Sequence, residues 1–163
     1  TVGSHWCEKN YILPDILKVD CEEEWLDSLI EVIEIEKLNV ILIGIDFELP
    51  LFAKRKEFIE SKTTCKVVIS PERVIEIGND KYLTYDFLRN NNLSHPKTFL
   101  PDKLDFSSII YPVIIKPRSG TRGRDVYMVE DSEDLNAKLE IVDNPIIQEY
   151  IDESHGEYSC VCA

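Results

Sequence analysis

The residues best suited to chemistry lie in one stretch, Tyr111-Pro112-Val113-Ile114-Ile115-Lys116-Pro117-Arg118-Ser119-Gly120-Thr121-Arg122-Gly123-Arg124. An apolar run of strand length ends in Lys116, and an ammonium there is costly to bury unless an anion neutralises it. Pro117 keeps the strand from continuing regularly. Positions 116 to 124 hold four cations and no acid, in a chain whose formal net charge is −13. Such a local inversion favours a bound polyanion. Gly120 and Gly123 let the backbone turn with positive φ and bring amide groups close to phosphate oxygens, while Ser119 and Thr121 add hydroxyl donors. The stretch therefore reads as a loop that covers phosphate, although an exposed hairpin loop with solvated charges would carry the same residue types. It is not a Walker P-loop, because no Gly-Lys-Ser or Gly-Lys-Thr follows four spacer residues, and no G-x-G-x-x-G occurs for a Rossmann dinucleotide site.

Two further pieces carry donors and acceptors. Asn79-Asp80-Lys81 opens a helix, where unpaired N–H groups and the helix dipole favour an anion and Lys81 adds charge. An ordinary solvated first turn has the same residues. Downstream, Pro145-Ile146-Ile147-Gln148-Glu149-Tyr150-Ile151 reads as a strand running into a polar break, with Glu157 beyond it. A backbone hinge after a strand offers N–H and C=O to a planar heterocycle, and a carboxylate accepts from a pair of hydroxyls. In an acid-rich chain Glu149 and Glu157 also fit plain surface positions.

Composition narrows the classes. The chain has 163 residues, 44% hydrophobic and 30% charged, which suits a folded domain or two small lobes and not a disordered segment. The acidic balance repels nucleic acid and anionic membrane at long range. No apolar run approaches the roughly 20 residues that span a bilayer. The start carries neither a basic nor an apolar leader. These features predict a soluble, cytoplasmic protein with neither nucleic-acid nor membrane partners. Five cysteines (Cys7, Cys21, Cys65, Cys160, Cys162) are an odd number without C-x-x-C, against both a disulfide framework and a zinc ribbon. His5, His95 and His155 are widely spaced, and no metal site is read from them.

The elements that must position these residues follow from periodicity. Asp20 is a candidate N-cap, with Glu22, Glu23 and Glu24 in the first turn, and Trp25, Leu26, Leu29, Ile30 and Ile33 share one helical face, with Asn39 as the stop. Residues 40–45 form an apolar, branched run expected for a parallel strand covered on both faces. A second helix runs from Asp46-Phe47-Glu48-Leu49-Pro50 through Phe52, Phe58 and Ile59, a second strand spans 66–69, and Ser70-Pro71 caps a third helix. After the helix that starts at Asn79-Asp80, with Tyr82, Leu83, Phe87 and Leu88 on its apolar side, prolines punctuate shorter strands at 113–116, 126–129, 146–148 and 158–162. One helix, 132–139, is capped by Asp131 or Ser132. The fold class is therefore α/β, a parallel α/β lobe over residues 1–79 followed by an α+β part over 80–163.

In this order the pieces resemble the ATP-grasp superfamily, most closely the branch around the large chain of carbamoyl phosphate synthetase and related carboxylate-amine ligases. The resemblance rests on the strand ending in Asp46-Phe47-Glu48-Leu49-Pro50, on Asn79-Asp80-Lys81-Tyr82-Leu83-Thr84, on Tyr111 to Arg118, and on Gln148-Glu149-Tyr150-Ile151 followed by Gly156-Glu157-Tyr158. It implies a pre-ATP-grasp lobe over 1–79 and the first part of an ATP-grasp domain over 80–163. It also implies that Lys81 and Lys116 meet the α- and β-phosphates of ATP, and that Arg118, Ser119, Gly120, Thr121, Arg122 and Gly123 fold over the β- and γ-phosphates. Glu149 would face the adenine amino group, Tyr150 and Ile151 would pair with the ring through their backbone, and Glu157 would hold the ribose. The implied activity is activation of a carboxylate or bicarbonate as an acyl phosphate for attack by an amine or other nucleophile. Magnesium ligands would lie outside this segment, which reads as an inactive fragment of a longer enzyme. A homodimer is compatible with the resemblance. A noncatalytic nucleotide-sensing module is the alternative.

Overall fold

In the computed structural model, residues 6–18, 21–120, 123–152, 154, 156 and 158 are described. The chain divides into two units, residues 1–75 and 76–163. No helix among the described residues is long and apolar enough to cross a membrane.

The first unit is built on α1 (Glu22–Glu36), whose Trp25, Leu26, Leu29 and Ile33 form its buried stripe. Asp20 lies outside the described residues, and Cys21 takes the N-cap position. The helix stops before Asn39, because Lys37 turns left-handed (φ 53°) and its amide bonds back to the Ile33 carbonyl. Next, β1 (Val40–Leu42) pairs in parallel with β2 (Lys66–Val68), Ile41 opposite Val67. Parallel neighbours need a crossover, supplied here by a 3₁₀ turn at Asp46–Glu48 and α2 (Leu49–Lys62). Phe52 and Ile59 of α2 pack with the α1 stripe, Cys65 and Val67 into one core. Arg55 and Lys54 reach Glu22 at 2.5 and 3.2 Å on the surface.

Strand β1 is half the expected length and covered on one face only. Ile41 packs against the core, whereas Val40 and Leu42 are 50% and 74% exposed. The reason is the partner: β2 offers three residues, so the apolar run at 43–45 has no ladder to join. Helices of this unit cover one side of the pair.

The second unit begins in α3 (Glu72–Asn79), followed at once by α4 (Lys81–Asn90). Asp80 caps α4 by accepting from the amides of Tyr82 and Leu83, and Thr84 Oγ1 donates to the Ile77 carbonyl at 2.6 Å, fixing the corner between the helices. A four-stranded antiparallel sheet follows, made of β3 (Thr98–Phe99), β4 (Val113–Pro117), β5 (Tyr127–Val129) and β6 (Pro145–Glu149) in the order β3-β6-β4-β5. Pro117, lacking an N–H, is the last residue of β4. On one face of the sheet, Val113, Ile115, Val129 and Ile147 pack with Leu135 of α5 (Ser132–Leu139). Asp131 caps α5 through the Glu133 and Asp134 amides. The strand expected over 158–162 lies, apart from Tyr158, outside the described residues. The architecture is mixed α/β, a parallel pair followed by an antiparallel sheet.

Candidate functional site

Strand alternation decides what Lys116 faces. Val113 and Ile115 point into the core with α5, so Ile114 and Lys116 point to the other side. Paired residues of an antiparallel ladder share a face, which places Met128 and Gln148, both opposite Ile114, on the Lys116 side. There Lys116 Nζ donates to Gln148 Oε1 at 2.7 Å.

The start of α4 meets the same place. The Lys81 amide donates to the Arg118 carbonyl at 2.9 Å, and its Nζ donates to the Gly120 carbonyl at 3.1 Å. Lys81, Lys116, Gln148, Thr84, Tyr85 and Pro96 line a pocket of about 210 Å³, and none of the described residues in its lining is acidic. Burial pushes the Lys116 ammonium below the ordinary lysine range, and the Lys81 ammonium beside it pushes the same way. Lys81 is also lowered by burial, with Asp80 opposing. Two partly desolvated cations thus share a pocket in which the described residues supply neutral acceptors and no acid, an arrangement suited to an entering anion.

Arg118 is held differently. Its Nε lies 3.1 and 3.2 Å from the two Asp80 carboxylate oxygens and its Nη2 2.5 Å from one of them, with the guanidinium 5.6 Å from the Tyr82 ring centroid. The pair ties the loop after β4 to the cap of α4. Burial pushes the Asp80 carboxyl up, but Arg118 and the Leu83 and Tyr82 amides outweigh it and hold the group below its usual range. The depressed value means that the carboxylate stabilises the fold above about pH 4, the unfolded value, and that this contribution disappears as pH falls through the folded one. Asp80→Asn is therefore expected to lower stability by about 1–3 kcal/mol at neutral pH. In urea titrations the gap between wild type and variant should shrink as pH falls below about 4, the unfolded value; a gap that stays constant would show that the charge of Asp80 is not what stabilises the corner.

The other expected residues are distributed as follows. Ser119, Gly120 and Gly123 are exposed in the loop, and both glycines have positive φ, 142° and 65°. Thr121, Arg122 and Glu157 lie outside the described residues. Glu149 sits opposite Val113, on the core face, and with Tyr150, Tyr111, Ile147 and Lys97 lines a separate pocket of about 320 Å³. Ile151 is exposed. The structure thus brings together Lys81, Lys116 and the loop backbone, and leaves the Glu149 side chain on the other side of the sheet. Gln148 holds Lys116 and Asp80 holds Arg118; Asp80 is legible as a helix cap, but neither pairing is marked by residue type.

These elements define an ATP-grasp fold. Residues 78–163 match the ATP-grasp domain family, more than half of the chain, and the chain belongs to that family. It is 30% identical over 118 residues to carbamoyl-phosphate synthase of Methanobrevibacter smithii, a match covering 71% of this chain and 32% of that protein. Among solved structures, L-amino acid ligase from Bacillus licheniformis is similar with a TM-score of 0.69 at 23% identity, over 89% of this chain and 34% of that one. The biotin carboxylase domain of the Hydrogenobacter thermophilus 2-oxoglutarate carboxylase, solved with MgADP, ADP and bicarbonate, gives 0.68 at 16% identity, over 92% and 36%. At these identities the two structures show the shared fold. The chain spans about a third of the length of each of these relatives.

Proposed function

We propose that the pocket between Lys81 and Lys116 holds the phosphates of ATP, and that the full-length protein is an ATP-dependent ligase. The observation that carries this reading is the pair of partly buried ammonium groups lining one pocket, with no carboxylate among the described residues of its lining. The family membership and the carbamoyl-phosphate synthase relative support the same chemistry.

In this reading an oxygen of a carboxylate or of bicarbonate attacks the γ-phosphorus, the bridging P–O bond breaks, and ADP leaves with the bonding pair. An amine or other nucleophile then attacks the acyl carbon, inorganic phosphate departs with the C–O electron pair, and the nucleophile loses its proton. Lys81 and Lys116 neutralise charge on the nucleotide, and Ser119 with the amides around Gly120 and Gly123 closes over the phosphates, as phosphoryl transfer demands positioning and charge compensation above all. Arg118, Thr121 and Arg122 belong to this covering loop. For the base, the backbone of Tyr150 and Ile151 after β6 is the part best suited to pair with an adenine edge, because the Glu149 side chain stands on the Val113 face. Glu157 is assigned to the ribose. Among the described residues no three His, Cys, Asp or Glu side chains gather for a metal ion. No step is assigned to magnesium.

Calorimetric titration of the full-length protein with a nonhydrolysable ATP analogue, tripolyphosphate and adenosine separates the parts of this reading. The analogue should bind, tripolyphosphate should bind more weakly and compete with it, and adenosine should lose most of the affinity. Absence of binding by the analogue, or adenosine binding as tightly as the analogue, overturns the assignment of the lysine pocket to phosphate.

A further inference from the structure

The Lys116 ammonium is the outer end of a chain of hydrogen bonds that leads into the interior. Lys116 Nζ donates to Gln148 Oε1 at 2.7 Å, Gln148 Nε2 donates to Thr98 Oγ1 at 2.7 Å, and Thr98 Oγ1 donates to the Pro96 carbonyl at 3.0 Å. Chemistry fixes the direction of every link. A carbonyl only accepts, so the single hydroxyl proton of Thr98 goes to Pro96, and a lone pair is left facing Gln148. The carboxamide must then turn its NH₂ toward Thr98 and its oxygen toward Lys116. The flipped amide would set donor against donor at the ammonium and acceptor against acceptor at the hydroxyl.

The relay is anchored. Thr98 is 2% exposed, and the ladder sets it directly opposite Gln148, which is itself opposite Ile114 on the neighbouring strand. Gln148 and Pro96 also line the lysine pocket. A carboxamide suits this position because it accepts from an ammonium and so aims it, but carries no charge that would compete with a phosphate. A glutamate in its place would hold Lys116 in an ion pair.

We propose that Gln148 is a positioning residue for nucleotide binding, oriented by Thr98 and Pro96, which aims the Lys116 ammonium into the pocket and leaves its charge available to the anion. This rests on the reading of the pocket as a phosphate site.

Two readouts on the full-length protein decide it. The first is affinity for a nonhydrolysable ATP analogue by calorimetry. Gln148→Leu should weaken it roughly 10-fold, the loss of one hydrogen bond to a charged group. Gln148→Glu should weaken it at least as much, while Thr98→Val gives a smaller loss that Thr98→Ser restores. In a Lys116→Met background Gln148→Leu should have no further effect, and in a Lys81→Met background it should keep its full effect. The second readout, without nucleotide, is the acetylation rate of the Lys116 amine by acetic anhydride, followed by mass spectrometry. Loss of the acceptor in Gln148→Leu should speed labelling, whereas the carboxylate of Gln148→Glu should slow it. Wild-type affinity in Gln148→Leu, an equal decrement without Lys116, or Lys116 labelling unmoved by either substitution overturns the relay. Lys116→Met with undiminished nucleotide affinity instead overturns the phosphate reading, and the labelling result still decides whether Gln148 controls the amine.

Discussion

Lys116→Met is expected to reduce affinity for ATP by about 100-fold in the full-length protein, while the ligand-free protein becomes no less stable. The two halves of this result have one cause. In the absence of an anion, Lys116 holds a positive charge in a partly buried place beside a second ammonium, and both burial and that neighbour disfavour it. Its hydrogen bond to Gln148 is to a neutral acceptor. Methionine is unbranched and of similar length, so it keeps the stem packing and removes a charge that burial and the neighbouring ammonium disfavour. With nucleotide present the balance reverses, because the phosphate supplies the missing counter-charge at short range. A depressed ammonium adds a pH signature. Affinity should fall as pH rises through the lowered value, hence earlier than an ordinary lysine near pH ~10.4 would dictate. Calorimetric titration gives the affinity and urea unfolding the stability. A variant that unfolds more readily yet binds ATP as before would mean that the ammonium is a structural prop with no place at the phosphate.

The parts of the site legible in the sequence are those whose signal is local. A lysine closing an apolar strand, glycines in a cationic loop and a capped helix start at Asp80 are each contained within a few residues, and all three lie where periodicity puts them. What was not legible depends on pairing between distant segments. Gln148 became visible as the acceptor of Lys116 only when the ladder set it opposite Ile114, far away in sequence, and the same register turned the Glu149 side chain toward Val113. The pairing of Arg118 with Asp80 is invisible to a local reading for the same reason, since the partners lie 38 residues apart. Strand β3 is two residues long, too short for any alternation to register. The opposite error, an apolar run read as a longer strand at 40–45, arises because a strand ends where its partner ends, and β2 sets that limit.

Trp25→Ala is expected to be the most damaging single change in the first unit and to leave the lysine pocket intact. Trp25 is 1% exposed and meets Phe52 edge to face, with ring centroids 5.0 Å apart, in a core completed by Ile33, Ile59, Cys65 and Val67. Truncating a buried tryptophan leaves a cavity and removes an aromatic contact, for a loss of about 3–5 kcal/mol. That approaches the whole stability of a small unit. Trp25→Phe, which keeps a ring against Phe52, should lose markedly less. The pocket residues Lys81, Lys116 and Gln148 belong to the second unit, whose core of Val113, Ile115, Val129, Leu135 and Ile147 contains no residue of the first. ATP affinity in Trp25→Ala should therefore stay near wild type at temperatures below its lowered melting transition. Ile115→Ala, cut from the strand that carries Lys116, should lose binding together with stability. Calorimetric unfolding traces and nucleotide titrations of both variants check this. Loss of ATP binding in Trp25→Ala at temperatures where the second unit still shows its own folded transition would mean that the two cores do not act independently.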